Sequence, residues 1–335
     1  MISILTVTYG NRFVYLEQVL QACISEFKNN QDKLYEIIII DNASNSTDKI
    51  KSFILSHPNI KIKYIVLETN TGSAGGFSAG LKYFLNSLSK YILLLDDDNV
   101  PSKNFTTAYL STLNLFPTEQ RNNIVLLGRR NYVEIKSFYK RKKIPHSPKY
   151  LFGYNLFNPK TFFMLFKKHF IKRKANLKPS NFVPIYAEHG LAYGGAFIPK
   201  NIIKKVGFPS EYFFTYADDA EYGTRMIKSG FNIYQIYTPL INDIDNSNRE
   251  EGYLSVLSNK VSDFRAFYIF RNNTYITLHT YKANIFIMLV NSFLYLTIIN
   301  IIYIFKHGFS NALWKRNKLI IRAIKAGVRS DFSQF

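Results

Sequence analysis

The chain of 335 residues carries 43 lysines and arginines against 23 aspartates and glutamates, which gives a net charge of +20. Hydrophobic residues make up 47% of the chain and charged residues 20%, a composition that excludes a disordered protein or a coiled coil and, at this length, predicts one large domain or two modest ones. The positive charge favours anionic partners, such as phosphorylated small molecules, a lipid surface or nucleic acid.

The first hundred residues alternate between strand and helix signals. Short apolar runs rich in β-branched residues predict four strands, Ile2–Val7, Tyr35–Ile40, Ile60–Leu67 and Tyr91–Leu95. Helical spacing of apolar residues predicts three helices between them, Val14–Phe27, Ser46–Leu55 and Ala74–Leu88. Repeated β–α–β units of this length predict an α/β fold with a mainly parallel sheet flanked by helices. Because ligands bind at the carboxyl ends of such strands, the residues that follow each strand are the functional candidates.

Polar residues and glycines follow the first three predicted strands. Arg12 has the chemistry to pair with a phosphate or to stack on a base. Asp41 and Asn42 either cap the next helix or read the imide N–H of uracil or thymine. The segment Asn70–Gly80 either cradles a diphosphate or forms a turn and a close helix packing. It lacks the G-x-G-x-x-G spacing and does not follow the first strand, which argues against a nicotinamide oxidoreductase.

Three adjacent aspartates, Asp96, Asp97 and Asp98, end the fourth predicted strand. In an extended chain the first and third side chains point to the same side. A divalent cation offsets the repulsion among such carboxylates, and Mg²⁺ and Mn²⁺ prefer oxygen ligands that they share with a diphosphate. The alternative is a solvated turn that caps the next segment through Asp98 or Asn99. We favour the metal site because five apolar residues come directly before the cluster.

The middle of the chain, from about residue 140 to 179, mixes basic clusters with aromatic residues. This pattern is typical of an amphipathic segment at a membrane interface. A loop and helix that pack on the core, with solvated lysines, explain the pattern equally well. The residues concerned are Arg141, Lys142, Lys143, Lys167, Lys168, Lys172, Arg173 and Lys174, with Tyr150, Phe152, Phe157, Phe162, Phe163, Phe166 and Phe170.

A second acidic cluster, Asp218, Asp219 and Glu221, follows an aromatic run and precedes a helix that carries Arg225. Acids in the first turn of a helix cap its N–H groups and favour its dipole, which is the simpler interpretation. A carboxylate beside an aromatic wall can also serve as a general base, because the low-dielectric surroundings tune its pKa.

The C-terminal region is helical, with 23 uncharged residues between Lys282 and Lys306. Such a helix is roughly 35 Å long and would cross a bilayer, but three asparagines interrupt it. The single cysteine, Cys23, and the N-terminal strand without a basic leader favour the cytosol. A span would then place the basic tail outside, against the positive-inside rule. We favour a helix that lies on the membrane, and the alternatives are a span and a buried helical pair.

Six motifs occur in order along residues 2–245: TVTYGNR, IIIIDNAS, NTGSAGGF, LLLDDDN, YGGAFIP and TYADDAEYGTR. Together they resemble the family 2 nucleotide-sugar glycosyltransferases, which have the GT-A fold. The GGF, DDD and DDAEYG forms are most similar to bacterial galactofuranosyltransferases and rhamnosyltransferases. The segments FYIFRN and AIKAGVRSDF are also similar to that branch.

The resemblance implies a role for each residue that matches a family motif. The implied metal ligands are Asp96 and Asp98, for Mn²⁺ or Mg²⁺, and the implied catalytic base is Asp219. Many family members carry a ligating histidine about twenty residues after the base; here Asn242 and Asp243 stand in that region, so Asp243 is the candidate third ligand. The implied nucleotide-sugar contacts are Thr8, Arg12, Asp41, Asn42, Asn70, Gly72, Gly76 and Asp97. The implied acceptor contacts are Gly194, Gly195, Asp218 and Glu221.

The resemblance also implies a function and a location. We expect an inverting transferase that moves a hexose from a nucleotide sugar, UDP-galactofuranose first and dTDP-rhamnose next, to a lipid-linked surface glycan such as lipopolysaccharide O antigen or capsule. We expect a GT-A catalytic domain over residues 1–245, with the nucleotide-sugar side in about 1–100 and the acceptor side in about 101–245. Residues 246–335 would associate peripherally with the inner face of the cell membrane. The alternative of another class is a basic nucleic-acid-binding protein, which lacks a recognition motif here.

Overall fold

The structure is a computed structural model of the chain, and it describes residues 1–30, 32–131, 138–139, 149–161, 182–188, 190–245, 255–258 and 260–335. The chain divides into two compact units, one of residues 1–140 and 178–246 and the other of residues 141–177 and 247–335. The division of function at residues 245 and 246 stays a prediction. The basic clusters predicted between residues 141 and 174, and Phe162, Phe163, Phe166 and Phe170, lie outside the described residues.

The first unit is an α/β fold, as the sequence predicts. Its strands are β1 (Ile2–Thr8), β2 (Leu34–Asn42), β3 (Ile62–Leu67), β4 (Tyr91–Asp96), β5 (Asn99–Pro101), β6 (Ile124–Arg130), β7 (Ile185–Ala187), β8 (Ala196–Pro199) and β9 (Asn232–Asp243). Its helices are α1 (Phe13–Asn29), α2 (Thr47–Leu55), α3 (Gly72–Phe84), α4 (Phe105–Asn114), α5 (Lys200–Val206) and α6 (Asp218–Lys228).

Among the described residues the strands form one mixed sheet in the order β3-β2-β1-β4-β8-β6-β9-β5, and β7 pairs with β9. The longer pairings, β1 with β2 and β4, β2 with β3, and β6 with β9, are parallel. The shorter pairings, β4 with β8, β6 with β8, β5 with β9, and β7 with β9, are antiparallel. The prediction of a mixed, mainly parallel sheet is confirmed.

Helices cover both faces of the sheet. Alternate residues of a strand point to opposite faces, so Ile37 and Ile39 enter the apolar core beneath α1, whereas Ile38 and Ile40 enter the core beneath α3. The continuous apolar runs of the predicted strands follow from this double burial. Sequence reasoning extended the third helix to Leu88, but α3 ends at Phe84. The Ser87 hydroxyl turns back to the buried carboxylate of Glu36 instead of continuing the helix.

The order of the strands brings several carboxyl ends to one edge of the sheet. Since β8 runs antiparallel to both β4 and β6, the strands β1, β2, β4, β6 and β9 all point the same way. The polar residues that end them therefore lie along one edge, where ligands bind in α/β sheets.

The second unit is helical in its described part, as predicted. It contains α7 (Asp263–Tyr275), a π-helical turn (Ile276–Thr280), α8 (Ile285–His307) and α9 (Asn311–Arg329). Gly327 of α9 lies against the backbone of Arg271 in α7, and any side chain there would overlap it. Among the described residues, α8 is the one helix long and apolar enough to cross a membrane.

Candidate active site

The three predicted aspartates, Asp96, Asp97 and Asp98, lie in a tight turn at the end of β4, which we call the acidic turn. The Asp96 backbone N–H donates to Asn99 Oδ1 at 3.2 Å, and the Asn99 amide donates to Asp98 Oδ1 at 3.1 Å. The same amide donates to Asp243 Oδ1 at 2.6 Å, because Asn99 of β5 pairs in register with Asp243 of β9. Asn99 therefore fixes the turn and ties it to the end of β9.

Arg12, which follows β1, binds three aspartates. Its Nε lies 2.9 Å from Asp97, its second guanidinium nitrogen 2.7 Å from Asp245 and its third 3.2 Å from Asp98. The Thr8 hydroxyl also donates to Asp97, at 2.8 Å. The sequence predicted that Arg12 binds a phosphate or a base, whereas in the structure Arg12 binds carboxylates of its own chain. Its contact with a nucleotide stays a prediction, as does that of Thr8.

Arg130 ends β6 and holds the other side of the acidic turn. Its guanidinium binds Asp243, with a shortest distance of 2.7 Å, and reaches Asp96 Oδ2 at 3.4 Å. Sequence reasoning missed Arg130, Asn99 as a bridge between strands, and Asp245. The available signal was that Arg129 and Arg130 end the buried run that begins at Ile124, as Asp96 ends the run of β4.

The acidic turn carries an excess of negative charge. Burial raises the pKa of Asp96 to about 7, helped by the charges of Asp98 and Asp97 and opposed by Arg130. Burial raises the pKa of Asp97 to about 6, although Arg12 acts to lower it. Among the described residues, five carboxylates meet two guanidinium groups here, namely Asp96, Asp97, Asp98, Asp243 and Asp245 with Arg12 and Arg130.

These residues fit a divalent cation held by two carboxylates. The density of carboxylates favours a cation, and carboxylate oxygens are the ligands that Mg²⁺ and Mn²⁺ prefer. No group of three or more His, Cys, Asp or Glu side chains within the described ranges is arranged to hold a metal ion. Asp243, the candidate third ligand, accepts hydrogen bonds from Arg130 on both oxygens and from Asn99 on one. Asp96 and Asp98 are therefore the better candidates, and other ligands would come from a diphosphate and water.

The second acidic cluster begins α6. Asp218 is buried and accepts a hydrogen bond from the Ser73 hydroxyl of α3 at 2.9 Å. Asp219 is half-buried, and its Oδ1 accepts from the Ala220 backbone N–H at 2.7 Å. Burial raises the pKa of Asp218 to about 8, and burial also raises the pKa of Asp219. A carboxylate with a raised pKa is suited to proton transfer near neutral pH.

The backbone before α6 is strained. Phe214, Tyr216 and Ala217 have φ angles of 64°, 60° and 67°, a region that side chains other than glycine rarely adopt. Such strain costs on the order of 1–3 kcal/mol per residue and is typical of functional sites. The turn places Asp218 and Asp219 in the first turn of α6.

Glu221, predicted on the acceptor side, lies in a partly buried ion pair. It accepts from Arg225 Nε at 2.7 Å and from the Ser210 hydroxyl at 3.2 Å. Arg225 also donates to the carbonyl oxygens of Val206 and Phe208. These contacts brace α6 against the preceding segment, and a contact of Glu221 with the acceptor stays a prediction.

Asp41 and Asn42, at the end of β2, organise the loops beside the site. Asp41 accepts from the Ser44 N–H at 2.7 Å and from the hydroxyls of Thr47 and Tyr64 at 2.7 and 2.5 Å. Burial acts to raise its pKa, but these hydrogen bonds hold the pKa below its ordinary value. Asp41 thus fastens the loop that leads into α2, while α2 itself has no side-chain cap hydrogen bond. The contact of Asp41 with a base stays a prediction.

The Asn42 side chain holds the glycine-rich segment. Its amide donates to Asn70 Oδ1 at 3.1 Å and to the Gly72 carbonyl at 2.9 Å, and its own oxygen accepts from the Thr71 N–H at 2.9 Å. Gly72 has a φ of +71°, and a side chain there would overlap the Phe214 carbonyl. The loop thus starts α3 against the strained turn that precedes α6.

The other predicted glycines allow close packing inside the protein. A side chain at Gly76 would overlap Val7 of β1, so this glycine lets α3 lie on the sheet. A side chain at Gly194 would overlap the Asn99 amide, and one at Gly195 would crowd Ile241. Gly194 therefore lies beside the acidic turn. The contacts of these glycines with diphosphate, sugar or acceptor stay predictions.

Comparisons with known proteins were consistent with this architecture. The family described as "Glycosyl transferase family 2" matches residues 3–178, just over half of the chain. No curated protein matches the chain.

Several solved structures are similar to the chain. GalNAc-T7 with UDP, GalNAc and Mn²⁺ has a TM-score of 0.52 at 12% identity, over 83% of this chain and 47% of that one. S. aureus TarS 1-349 with UDP-GlcNAc has a TM-score of 0.49 at 16% identity, over 83% of this chain and 66% of that one. The mannosyltransferase PcManGT from Pyrobaculum calidifontis with GDP-Man and Mn²⁺ has a TM-score of 0.49 at 14% identity, over 98% of this chain and 75% of that one. The chain spans 40% of one TarS chain and 47% of the GalNAc-T7 chain. The likeness to GalNAc-T7 concerns the fold, and the predicted GT-A-type fold is confirmed.

Proposed function

The chain belongs to glycosyl transferase family 2, and on that premise we propose that it moves a hexose from a nucleotide sugar to an acceptor hydroxyl with inversion at the anomeric carbon. The observation that carries the proposal is the meeting of the acidic turn with Arg12 and Arg130 at the carboxyl edge of the sheet. This is the edge where ligands of α/β sheets bind.

On the donor side, Asp96 and Asp98 would hold Mn²⁺ or Mg²⁺. When bound, the cation supplies positive charge to the departing diphosphate. Asn42 fixes the loop that begins α3, and this loop would lie along the diphosphate. We assign the nucleotide sugar to Thr8, Arg12, Asp41, Asn42, Asn70, Gly72, Gly76 and Asp97.

On the acceptor side, Asp219 would act as the general base. Its carboxylate takes the proton of the acceptor hydroxyl while that oxygen forms a bond to the anomeric carbon and the bond from this carbon to the diphosphate breaks. The raised pKa of Asp219 makes it a stronger base than an ordinary aspartate. Asp218 and Glu221 support the same turn of α6, and we assign Gly194 and Gly195 to the acceptor loop.

Substitution of Asp219 tests the proposal. We expect Asp219→Asn to lower kcat by about 10²- to 10⁴-fold, because it removes the base but keeps the shape of the side chain. Binding of the nucleotide sugar, measured by calorimetry, should survive. Asp48→Asn makes the same change at an exposed position in the first turn of α2 and should leave kcat unchanged. Turnover of Asp219→Asn near that of the wild type would remove the assignment.

The six sequence motifs support the proposals for the donor, the acceptor and the location. We propose UDP-galactofuranose as the donor, with dTDP-rhamnose as the alternative, and a lipid-linked surface glycan as the acceptor. A lipid-linked acceptor favours an enzyme held peripherally at the inner membrane face. Transfer from a panel of nucleotide sugars tests the donor, and transfer from UDP-glucose or UDP-GlcNAc alone would contradict it.

A further inference from the structure

Helix α8 has a mainly apolar face that points outward, with the exposed Thr297 near its middle. The exposed apolar residues on this face recur mostly at intervals of three or four. We call them the outward stripe: Phe286, Leu289, Phe293, Ile301, Ile304 and Phe305. Its three phenylalanines are 73%, 69% and 81% exposed. The opposite face is buried and includes Met288, Tyr295 and Ile302. The helix therefore has one protein-facing side and one side that nothing covers among the described residues of its unit.

Two asparagines fasten α8 to its own unit, Asn291 from the buried side and the half-buried Asn300 from the edge of the outward stripe. The Asn291 amide donates to the Tyr154 carbonyl at 3.0 Å, and its oxygen accepts from the Leu156 N–H at 2.8 Å. Further along, Asn300 and Asn317 of α9 exchange hydrogen bonds of 2.9 and 2.7 Å. A helix that crossed a bilayer alone would leave these polar groups without partners, at a cost of several kcal/mol each. These contacts favour a helix that lies along the surface of its unit.

The neighbouring helix α9 presents positive charge. Four of its exposed residues are basic, and we call them the basic face: Lys315, Lys318, Arg322 and Lys325. No aspartate or glutamate occurs from Lys282 to Ser330. Trp314 is 56% exposed beside this face, with the Lys318 ammonium 5.1 Å from its ring centroid. Tryptophan and lysine side chains of this kind are typical of the boundary between lipid and water.

Arg316 does not belong to the basic face. It is buried, donates to the carbonyl oxygens of Ser262 and Val261, and pairs with Asp263 at 3.2 Å. Its charge is used inside the helical unit, so a charge-reversal at this position would disturb folding rather than report on a surface.

We infer that the outward stripe and the basic face together dock α8 in the plane of an anionic lipid surface. The phenylalanines enter the apolar boundary while the lysines meet the phosphates of the headgroups. A second copy of the chain fits this surface less well, because pairing two such surfaces would bring their basic faces together. The inference deepens the proposed membrane location, but its test requires no transfer reaction.

Trp314 is the only tryptophan of the chain and reports on the surface directly. With the full chain and vesicles of phosphatidylcholine containing about one third phosphatidylglycerol, we expect a blue shift of its fluorescence and flotation with the vesicles. High salt should weaken the binding, because salt screens the basic face.

Two groups of variants separate the apolar from the electrostatic part. The combined change Lys315→Gln, Lys318→Gln and Lys325→Gln should weaken vesicle binding by about 100-fold. The combined change Phe286→Ser, Phe293→Ser and Phe305→Ser should weaken it by at least about 10-fold. The matched controls, Lys49→Gln with Lys51→Gln and Lys103→Gln, and Leu55→Ser with Leu88→Ser and Leu115→Ser, change equally exposed side chains of the first unit and should bind like the wild type.

The depth of three reporters distinguishes docking from spanning. Phe286→Trp, Phe293→Trp and Phe305→Trp, each combined with Trp314→Phe, place single tryptophans along about 28 Å of the helix. Quenching by lipids brominated at different depths should place all three at the same shallow level. A reporter at residue 293 near the bilayer centre would show a span and overturn the inference. Failure of the wild type to bind anionic vesicles, or a dimer that the phenylalanine changes dissociate, would overturn it as well.

Discussion

At the scale of single residues, two arginines set the electrostatics of the site. Arg12 and Arg130 approach the acidic turn from the ends of β1 and β6, and each binds more than one carboxylate. An Arg–carboxylate pair fixes geometry because the guanidinium presents several donors in one plane. The two arginines thus hold the aspartates in place, and carboxylates still outnumber them among the described residues, which favours a divalent cation.

The buried carboxyl of Asp218 should make the stability of the protein depend on pH. Its pKa is raised to about 8 by burial, against about 3.9 in an unfolded chain. The folded state therefore keeps a proton that the unfolded state loses, and stability falls as the pH rises from about 4 to 8.

Asp218→Asn tests this pH dependence, since asparagine is neutral and still accepts a hydrogen bond from Ser73. We expect the variant to be more stable than the wild type at pH 8, by on the order of 1 kcal/mol or more, and to lose this advantage near pH 4. Denaturant unfolding at both pH values measures the effect. Asp48→Asn, at an exposed position, should show no such difference, and a variant less stable than the wild type at pH 8 would contradict the expected burial cost.

The sequence predicts the individual acids of the site better than their partners. Asp96, Asp97 and Asp98 are recognisable because a buried strand must end where its residues turn polar. Arg130 and Asp245 are not, because their roles depend on strand order: the antiparallel β8 lies between β4 and β6, and β6 pairs directly with β9. Asp41 shows the converse, since its residue type suits both a helix cap and a base contact. Only the contacts with Ser44 and Thr47 show that it fastens the loop before α2.

At the scale of elements, the starts of α3 and α6 are built against each other. The Ala74 N–H donates to the Phe214 carbonyl at 3.1 Å, and the Ser73 hydroxyl donates to Asp218. Gly72 fits between them because it has no side chain. The donor loop and the turn that carries the proposed base are thus one structural feature, and a change in either should move the other.

Gly72→Ala should therefore cost far more than a glycine substitution in an open turn. The new methyl group would overlap the Phe214 carbonyl, and we expect a loss of about 3 kcal/mol or more in the free energy of unfolding. Gly230→Ala is the matched control: its φ is +87°, but nothing lies within 4 Å of the added carbon, so only about 1–2 kcal/mol should be lost. Equal losses for the two variants in denaturant unfolding would show that the two helix starts are not held together.

The sequence also predicts where elements lie better than where they end. Strand β3 begins at Ile62 rather than at Ile60, because the Ile60 N–H donates back to the His57 carbonyl and closes a turn. The apolar character of Ile60 gave no sign of this. Helix α8 was recognisable from its composition, whereas its division into a buried and an outward side required the positions of its neighbours.

At the scale of the whole molecule, the charge of +20 does not describe a uniform surface. The acidic turn is negative, and the basic face of α9 is positive. Membership of a glycosyltransferase family accounts for the acidic site, which nucleic-acid binding does not explain. The basic middle segment that motivated that alternative lies largely outside the described residues.

If the acidic turn holds a cation that bridges to a diphosphate, the metal and the nucleotide should stabilise the whole chain together. A ligand that binds only the folded state adds about 2.7 kcal/mol at a concentration 100 times its Kd. We therefore expect UDP with Mn²⁺ or Mg²⁺ to raise the thermal unfolding temperature, and either alone to raise it much less, since the cation supplies the charge that a diphosphate requires beside five aspartates. UDP-galactofuranose with the cation should raise the unfolding temperature as UDP does. If the donor is dTDP-rhamnose, that nucleotide sugar should raise it instead.

Asp98→Ala should abolish this joint stabilisation and lower donor affinity with it, because one of the two proposed ligands is lost. Asp48→Ala removes an exposed carboxylate of α2 and should leave the joint stabilisation intact. A full rise of the unfolding temperature with UDP in excess EDTA, or in Asp98→Ala, would mean that the nucleotide binds without the cation. Arg12 and Arg130, which are already within reach of the acidic turn, would then be the groups that neutralise the diphosphate.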